Sequence, residues 1–324
     1  AKDLLNSCGL SLNNNADYSM GVFDEGKLVA TGSLSSEMIQ MVAVDKSYRG
    51  EGLTAKVMTH LLNHAFESGY KNVYLFTKPK NADIFENLGF KTVAVARPYS
   101  ALLEWGKPGI DEFCASLRPK IKDVSGISAA IVMNCNPFTL GHRYLVEKAS
   151  MECDNVYVFI VENLSVFPLD VRYQLACEAT ADLKNVQVLK GGRYVISHLT
   201  FPSYFTQKAD LASAECSMDA EIFSEHIAPA LKIKKRYVGT EPYSRTTRIY
   251  NRALKERLTP KGISVCEIPR LIISNLAVSA SQVRSLLASG DIEATRRYVP
   301  EPTYHYFTSQ SAMPVLKKLQ ENTR

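Results

Sequence analysis

The sequence lacks paired cysteines, long apolar runs and an N-terminal secretion signal. Its seven cysteines are scattered, odd in number and never spaced as CxxC, which argues against a disulfide framework and against a zinc site. No apolar run approaches the roughly 18 uncharged residues that a membrane-spanning helix needs. The first residues carry no basic-then-apolar segment. We therefore expect a cytoplasmic protein with reduced thiols, no zinc site or other residues dedicated to binding a metal, and no membrane contact.

The first third of the chain has almost no net charge, and the rest has a modest positive net charge. Residues 1–106 contain 10 Lys and Arg against 11 Asp and Glu, whereas residues 107–324 contain 28 against 22. The basic excess of the second part suits the handling of phosphates, but it is too small to indicate nucleic acid binding. With 324 residues, 46% of them apolar, the chain is long enough for two globular domains.

Residues 1–106 alternate strand and helix signals. Strands are predicted at Tyr18–Asp24, Lys27–Leu34, Met38–Val44, Asn72–Thr77, Phe90–Ala96 and Ser100–Glu104. Helices are predicted at Gly52–Glu67 and Ala82–Leu88. Gly and Pro cluster at residues 105–109 and mark a boundary. We therefore divide the chain into a first domain (1–106), a linker helix (107–124) and a second domain (125–324).

The second domain begins with a strand of nearly continuous apolar residues, Ile127–Met133, which is typical of a parallel strand covered on both faces. Further strands are predicted at Val156–Val161, Val186–Leu189, Arg236–Val238 and Val265–Ile268. Their alternation with helical segments predicts a doubly wound, Rossmann-like parallel sheet. Because ligands bind at the carboxyl ends of such strands, the loop after the first strand is the place to look for chemistry.

That loop, residues 134–142, reads NCNPFTLGH and opens a helix. Pro137 stiffens it, and Gly141 permits the close approach of another backbone or of a phosphate. The helix N-terminus offers amide donors and a partial positive charge to an anion. His142, in the first helical turn, can donate a hydrogen bond to a phosphate oxygen.

These residues resemble the (H/T)xGH signature of the nucleotidyltransferase superfamily, with Thr139 first and His142 last. Residues 278–284, VSASQVR, are similar to the second signature of that superfamily, (I/S)SxSxxR. Taken singly, each segment has an ordinary alternative, a capped helix with a surface side chain. Two signatures in the correct order favour the functional interpretation.

The resemblance implies a site for ATP with Mg²⁺. Catalysis is assigned to His142, Thr139 and Arg284, whose guanidinium is suited to phosphate oxygens. ATP contacts are assigned to Asn136, Pro137, Phe138, Gly141, Arg172, Gly239, Glu241, Ser279 and Ser281. The predicted helix that follows residues 239–241 carries four basic residues on one face, Arg245, Arg248, Arg252 and Lys255. This face is either an ordinary solvated surface or a binding surface for pyrophosphate or a partner.

The second domain as a whole resembles the citrate lyase ligase family. The resemblance is carried by residues 133–142, 179–186, 200–205 and 238–243. It implies that ATP and acetate give AMP and pyrophosphate. It also implies a protein partner, the acyl-carrier subunit of citrate lyase, whose phosphoribosyl-dephospho-CoA arm receives the acetyl group on its thiol.

The family implies an acetyltransferase-like (GNAT) mixed-sheet domain before the catalytic one, and residues 1–106 fit this expectation. Residues 49–54, RGEGLT, resemble the (Q/R)xxGx(G/A) pyrophosphate loop of that fold, with Thr54 where Gly or Ala is usual. Binding of the CoA-like arm is assigned to Arg49, Gly50, Gly52, Leu53, Thr54 and Asn81. The absent initiator Met suggested that the start of this domain is truncated.

Two further interpretations stayed open. His60 and His64 lie one helical turn apart, a spacing seen in metal sites, but polar neighbours on the same face favour a solvated surface. The chain could also be a nucleotidyltransferase acting on a phosphate ester, or an acetyltransferase using acetyl-CoA. The first alternative needs a second phosphate site, and the second needs a general base, which residues 1–106 do not obviously contain.

Overall fold

The computed structural model describes residues 1–120, 125–162, 165–195, 211–240 and 245–321. These residues form two compact units. The first consists of Ala1–Ser116 together with the later helix Leu211–Ile222, and the second contains the other described residues. Each unit has a sheet and an apolar core of its own.

Strands and helices are numbered along the chain. The strands are β1 (Tyr18–Asp24), β2 (Lys27–Ser35), β3 (Met38–Val44), β4 (Asn72–Thr77), β5 (Lys91–Ala96), β6 (Ser100–Gly106), β7 (Ser128–Met133), β8 (Asn155–Ile160), β9 (Val186–Lys190), β10 (Ile233–Gly239), β11 (Ser264–Ile268), β12 (Ile272–Ile273) and β13 (Leu276–Ala277). The helices are α1 (Lys2–Ser7), α2 (Leu53–Glu67), α3 (Ala82–Glu86), α4 (Ile110–Leu117), α5 (Leu140–Glu152), α6 (Leu169–Ala179), α7 (Leu211–Ile222), α8 (Ala228–Ala230), α9 (Arg245–Leu258), α10 (Ala280–Ala288), α11 (Ile292–Thr295), α12 (Glu301–Thr308) and α13 (Met313–Glu321).

The first unit is a mixed sheet in the order β1-β2-β3-β4-β6-β5. Neighbouring strands are antiparallel except β3 and β4, which are parallel. Helix α2 packs on this sheet through an apolar side spaced at three and four residues, formed by Val57, Met58, Leu61 and Ala65. Helix α7 packs against β5 and β6, so a helix from the later part of the chain completes this unit.

The second unit contains five parallel strands in the order β11-β10-β7-β8-β9. Every residue of β8 is buried, which suits its run of aliphatic and aromatic residues from Val156 to Ile160. The chain proceeds from β7 to β8 and β9 on one side, and later to β10 and β11 on the other. The strand order therefore reverses between β7 and β10, where doubly wound sheets bind their ligands.

The helices after the sheet form a second apolar cluster in this unit. Val283 and Leu287 of α10 pack with Phe307 of α12 and with Val315 and Leu319 of α13. These contacts hold α10, which carries the second signature, in a fixed position. Because α10 is anchored by its apolar side, its N-terminal turn can serve as a rigid element of a site.

The predicted fold class is confirmed, since a mixed-sheet unit precedes a doubly wound parallel one. The strands predicted in both blocks are present with bounds shifted by three residues or fewer, and the linker contains helix α4. The placement of α7 differs from the division at residue 125, because a helical period reveals an apolar face but not the sheet it will cover. Within the described residues, none of the helices combines the length and apolar character needed to cross a membrane.

Candidate active site

Three loops of the second unit meet at one edge of its parallel sheet. Residues 134–139 follow β7, Thr240 follows β10, and residues 269–271 follow β11. Since β10 lies between β7 and β11 and all three strands run in the same direction, their carboxyl ends are neighbours. The first signature loop therefore lies where the strand order reverses.

The first signature folds into a reciprocal helix cap. Thr139 is the N-cap of α5, and its Oγ1 accepts the backbone N–H of His142 at 3.4 Å. In return, the backbone N–H of Thr139 donates to His142 Nδ1 at 3.0 Å. Two helix-terminal amides thus have side-chain partners, which is the logic of a capping box with histidine in the place of glutamate. This cap also fixes the orientation of the imidazole.

The cap determines which nitrogen of His142 can donate. Because Nδ1 accepts a backbone N–H, the proton of the neutral ring is on Nε2. Burial, with the positive charge of Arg270 as a second cause, lowers the pKa of His142 to about 4. The side chain is therefore a neutral Nε2–H donor at physiological pH, and it is partly buried.

The second signature lies against the first. Arg284 Nη1 donates to the backbone carbonyl of Asn136 at 2.6 Å, and its Nη2 donates to Ser281 Oγ at 3.2 Å. A Cβ added to Gly141 would lie 3.2 Å from the carbonyl oxygen of Val278, so a glycine permits this close approach. The structure thus joins two motifs that are 148 positions apart in the chain.

Ser279 forms the N-cap of α10. Its Oγ accepts the backbone N–H of Gln282 at 3.2 Å, and its own O–H is left to donate. Burial lowers the pKa of Arg284, but an arginine remains charged at neutral pH. The N-terminal turn of α10 therefore combines amide donors with hydroxyl groups and a guanidinium, which is the chemistry that phosphate oxygens require.

The remaining residues of the first loop support it from below. Phe138 is completely buried in the core of the sheet. Asn136 Oδ1 accepts the backbone N–H of Phe167 at 3.0 Å, which links the loop after β7 to the loop after β8. Pro137 lies between these two anchors. The loop is therefore preorganised by its side chains.

Arg172 requires a correction. Sequence reasoning assigned it to a phosphate, but its side chain is completely buried. Its Nε donates to the carbonyl of Phe167, and its Nη1 donates to the carbonyls of Asn134 and Val161. These contacts hold the loops after β7 and β8 together, so Arg172 is a positioning residue.

Arg270 is a residue of this edge that sequence reasoning missed. It follows β11, its Nε donates to the carbonyl of Thr240 at 3.0 Å, and its charge acts on His142. The sequence signal that could have identified it is an arginine two residues after the end of a predicted parallel strand. Gly239 ends β10 at the same edge, and its carbonyl accepts Asn251 Nδ2. Glu241 lies outside the described residues.

The predicted basic face of α9 is only partly described. Arg252 pairs with Glu256 at 2.8 Å, and Lys255 pairs with Glu267 at 2.8 Å. Both are exposed ion pairs of the kind that contributes little to stability. Within the described side chains, this face shows ordinary surface pairing, which favours the interpretation as a solvated face.

The stretch 179–186, which carries part of the family resemblance, anchors α5 from the side. Arg143 of α5 binds Asp182 with two nitrogens at 2.8 and 2.7 Å, and it also donates to the carbonyl of Ala179. Asn185 Nδ2 donates to the carbonyls of Ser150 and Cys153. The specific residues of this stretch therefore hold the signature helix in place.

The first unit contains a separate cleft. Its parallel strands β3 and β4 pair at only two positions, Met38 with Tyr74 and Ile39 with Leu75. The later residues of both strands line a cleft of 560 Å³. It is bordered by the loop that precedes α2 and by the residues that precede α3. A cleft of this volume is in the range of small-molecule sites.

The cleft brings together all the residues predicted to bind the CoA-like arm: Arg49, Gly50, Gly52, Leu53, Thr54 and Asn81. Gly50 and Gly52 adopt φ values of 90° and 73°, a region that favours glycine, and Gly52 is the N-cap of α2. Lys78 and Lys80 also line the cleft, and sequence reasoning did not single them out. Amides at a helix start and two lysines together suit an anionic ligand.

The histidine pair of α2 contacts an aromatic side chain. Tyr18 Oη lies 2.5 Å from His60 Nε2, and the Tyr18 ring stacks on His64 with ring centroids 3.6 Å apart. Among the residues that the structure describes, no group of three His, Cys, Asp or Glu side chains is arranged to hold a metal ion. The pair is thus accounted for by surface packing with Tyr18.

The two units define a protein class. The parallel sheet, with its cap-oriented histidine and the adjoining SxSxxR helix, is a nucleotidyltransferase-type unit, and it follows a GNAT-like unit with a phosphate-type loop. Family models match accordingly: the citrate lyase ligase C-terminal domain over residues 128–307, and the acetyltransferase (GNAT) family over residues 3–90. The chain belongs to the citrate lyase ligase family.

Two relatives named as citrate lyase ligases agree with this assignment. The chain is 36% identical over 304 residues to the citrate (pro-3S)-lyase ligase of Escherichia coli, covering 92% of this chain and 86% of that protein. It is 37% identical over 312 residues to that of Haemophilus influenzae, covering 93% and 92%. Among solved structures, TmcAL of Thermotoga maritima bound with alpha-thio ATP matches with a TM-score of 0.36 and 15% identity, covering 56% of this chain and 55% of that chain.

Proposed function

We propose that this protein is an AMP-forming ligase that acetylates the thiol of the CoA-like arm on the acyl-carrier subunit of citrate lyase. ATP and acetate form acetyl-adenylate and pyrophosphate, and the carrier thiol then takes the acetyl group and releases AMP. The relatives are named as ligases of citrate lyase, which supports the choice of partner. We place the reaction in the cytoplasm, in keeping with seven cysteines that form no disulfide.

The observation that carries the proposal is the junction of the two signatures. Arg284 is bound to the carbonyl of Asn136, a few residues before the neutral donor His142. A triphosphate laid along this junction would meet the start of α5 at one end and the start of α10 at the other. Three terminal amides of α5 already have partners in the protein, those of Thr139 and His142 in the cap and that of Leu140 at the carbonyl of Tyr298, so the start of α5 would act mainly through its helix dipole. The start of α10 would supply amide donors.

In the proposed adenylylation, a carboxylate oxygen of acetate attacks the α-phosphorus of ATP, and the bond from that phosphorus to the bridging oxygen of pyrophosphate breaks. Negative charge increases on the α-phosphoryl oxygens and on the leaving pyrophosphate. His142 Nε2–H would donate to an α-phosphoryl oxygen, with Thr139 holding the ring. Ser279, Ser281 and Arg284 would hold the β- and γ-phosphates.

Arg270 is proposed as a second cation for the same phosphates. It lies at the carboxyl edge of the sheet, and its charge already acts on the ring of His142. Keeping His142 neutral preserves Nδ1 as the acceptor of the Thr139 N–H, and this bond holds the Nε2–H donor in position. No side chain is required as a covalent nucleophile, because acetate is the attacking group.

Magnesium would be bound mainly by the phosphates of ATP. The described residues provide no cluster of carboxylates for a cage. Mg²⁺ commonly keeps several waters and binds through substrate phosphates, so the residues present are compatible with an ion that arrives with ATP. When bound, the ion would neutralise charge on the pyrophosphate.

The cleft of the first unit is proposed to bind the arm of the carrier. The loop of Gly50 and Gly52 would receive the pyrophosphate of the arm, and Lys78 and Lys80 would balance its charge. The remainder of the arm would extend along the gap between β3 and β4. We propose that this unit binds the arm and does not itself transfer acetyl groups from acetyl-CoA.

Isotope transfer tests the proposed chemistry. The full-length protein is incubated with ATP, Mg²⁺, the thiol-bearing acyl-carrier protein and acetate labelled with ¹⁸O in both oxygens, and AMP is analysed by mass spectrometry. Attack of acetate on the α-phosphorus followed by thiol attack on the acetyl carbon leaves one ¹⁸O atom in AMP. We expect stoichiometric label and acetate-dependent pyrophosphate release.

Other outcomes would indicate the alternative functions. Pyrophosphate release that needs a phosphate ester and ignores acetate would indicate a plain nucleotidyltransferase. Acetylation of the carrier from acetyl-CoA in the absence of ATP would indicate an acetyltransferase. AMP without label, formed together with acetylated carrier, would refute the acetyl-adenylate.

A further inference from the structure

Asn134, the first residue after β7, has a side-chain amide whose orientation is fixed by its neighbours. Its Oδ1 accepts Arg172 Nη1 at 3.0 Å and Ser165 Oγ at 3.2 Å. Its backbone carbonyl accepts the same arginine nitrogen at 2.7 Å. Rotating the amide would turn its NH₂ group towards a guanidinium, which can only donate. Asn134 Nδ2 is therefore the atom that points away from Arg172.

Asn134 Nδ2 is a free donor at the carboxyl edge of the sheet. The residue is only partly buried, and its Nδ2 has no hydrogen-bond partner among the residues that the structure describes. This nitrogen is not one of the side-chain atoms that lack a partner and are closed to water within the described fold. An acceptor alone satisfies Arg172 and Ser165, so these two contacts explain Oδ1 and leave the donor without a structural role.

The contacts of Asn134 place its side chain on one side of β7. Ser165 and Arg172 both follow β8 in the chain, so the amide faces the loop after β8. Thr240 and Arg270 follow β10 and β11, which lie on the other side of β7 in the strand order. The proposed ATP site lies over the reversal between β7 and β10. Asn134 Nδ2 therefore borders the side of β7 that ATP leaves open.

Acetate has to approach the α-phosphorus from such an open side. The attacking carboxylate oxygen and the departing pyrophosphate oxygen lie roughly in line on opposite faces of the phosphorus. The second oxygen of the carboxylate does not attack, and it needs a donor when water is removed from it. An uncharged amide suits this oxygen, because it offers an N–H and does not transfer a proton to the nucleophile.

We propose that Asn134 is a catalytic residue of both half-reactions, because its Nδ2 donates to the acetate oxygen that does not attack. After the other oxygen has bonded to the α-phosphorus, the held oxygen is the carbonyl oxygen of acetyl-adenylate. When the carrier thiol loses its proton to solvent and its sulfur attacks the acetyl carbon, negative charge develops on this same oxygen. The amide then stabilises that charge as a preorganised donor, until the carbonyl re-forms and the C–O bond to AMP breaks.

The inference rests on the proposed acetyl-adenylate chemistry, and the two half-reactions can be measured separately with the full-length protein. The first is acetate-dependent pyrophosphate release from ATP, with a KM for acetate and a KM for ATP. The second starts from synthetic acetyl-adenylate and the thiol-bearing acyl-carrier protein, and thioester formation is followed by mass spectrometry. Because synthetic acetyl-adenylate bypasses both ATP and acetate, a defect in this second assay belongs to acetyl transfer.

Asn134→Asp keeps an acceptor for Arg172 and Ser165 and replaces the donor with an anionic oxygen. We expect the KM for acetate to rise at least about tenfold, the KM for ATP to change far less, and transfer from acetyl-adenylate to slow about 10²-fold. Asn134→Ser keeps an uncharged group that both accepts and donates, so it should lose less in both assays. The matched control is Asn275→Asp, the same change at an exposed turn, which should leave all three quantities unchanged.

The outcomes separate the role of Asn134 from the proposed function. Wild-type protein that releases no pyrophosphate in response to acetate would refute the proposed function itself. Active wild-type protein together with an unchanged KM for acetate in Asn134→Asp, or with a rise confined to the KM for ATP, would refute only the role of Asn134. Normal transfer from acetyl-adenylate, or equal losses in Asn134→Ser and Asn134→Asp, would also overturn it. Each variant is assayed below its own melting transition, so that unfolding does not enter the comparison.

Discussion

Substitution of His142 separates its role in the helix cap from its proposed role in the reaction. His142→Ala removes both, because it deletes the Nδ1 acceptor of the Thr139 amide and the Nε2–H donor together. In His142→Asn, the side-chain oxygen can occupy the position of Nδ1 and keep the cap, but no donor remains where Nε2 was. His142→Gln can again place an amide donor near the position of Nε2.

The expected magnitudes differ for the two roles. Loss of a helix cap costs about 1 kcal/mol of stability. For a unit of this size, that lowers the melting temperature by about 2–4 °C. Loss of one preorganised donor to a transition state lowers the rate about 10²- to 10³-fold. We therefore expect His142→Ala to lose both stability and rate, His142→Asn to lose rate alone, and His142→Gln to recover at least about tenfold of the rate lost in His142→Asn.

The assay is acetate-dependent pyrophosphate release from ATP, measured beside thermal melting of each variant. Asp291→Ala is the matched control, because Asp291 caps helix α11 by accepting the backbone N–H of Ala294 and lies outside both signatures. It should lose stability comparable to that of His142→Ala and keep its rate. Near-normal turnover by a folded His142→Asn variant would refute the donor role of His142.

Three further expectations follow from the same site. Arg284→Lys keeps the charge but cannot reproduce both guanidinium contacts, so the KM for ATP should rise about tenfold. Arg296→Lys, an exposed control, should leave that KM unchanged. A KM for ATP in Arg284→Lys equal to that of wild type would make Arg284 merely structural. Gly141→Ala should lower both turnover and melting temperature, because the new Cβ would crowd the backbone carbonyl of Val278 in the second signature. Gly239 has open space around it, so Gly239→Ala should keep the wild-type melting temperature. A Gly141→Ala variant with unchanged turnover and melting temperature would contradict the close packing of the two motifs. The pKa of His142 in the folded protein, about 4, lies below the ordinary value for histidine, so on acidification the unfolded chain takes up a proton before the folded protein does. Wild-type protein should therefore lose up to about 3 kcal/mol of its free energy of unfolding between pH 6.5 and pH 4, and His142→Asn should not. The same pH dependence of the unfolding free energy in both proteins would contradict the assigned pKa.

Local features of both units could be predicted from the sequence. Both signatures were expected to open helices, and in the structure Thr139 and Ser279 are the N-caps of those helices, because short hydroxyl side chains accept nearby backbone amides. The first buried strand of the second unit was predicted at Ile127–Met133 from its nearly continuous apolar composition, and the structure places it at Ser128–Met133. These features depend on residues within a few positions of one another, so a sequence pattern carries them.

Errors and omissions concern contacts between distant segments. Arg172 was assigned to a phosphate because its charge was visible and its complete burial was not. Arg270 was missed because its approach to His142 depends on the order of the strands. The free donor of Asn134 could not be foreseen, because the orientation of its amide depends on Ser165 and Arg172, which follow a different strand.

The sequence by itself determined the order of the two sheet-containing domains and the positions of the motifs, because periodicity and caps are short-range properties of a chain. The types of the two domains came from the resemblance of those motifs to known families. Tertiary structure alone decided how those motifs combine. Packing at Gly141 and the contact of Arg284 with Asn136 bring together segments separated by 148 positions. Helix α7 joined a sheet formed by residues far before it in the chain. A helical or strand pattern specifies which face must be buried, but which partner buries it depends on the fit of the whole fold.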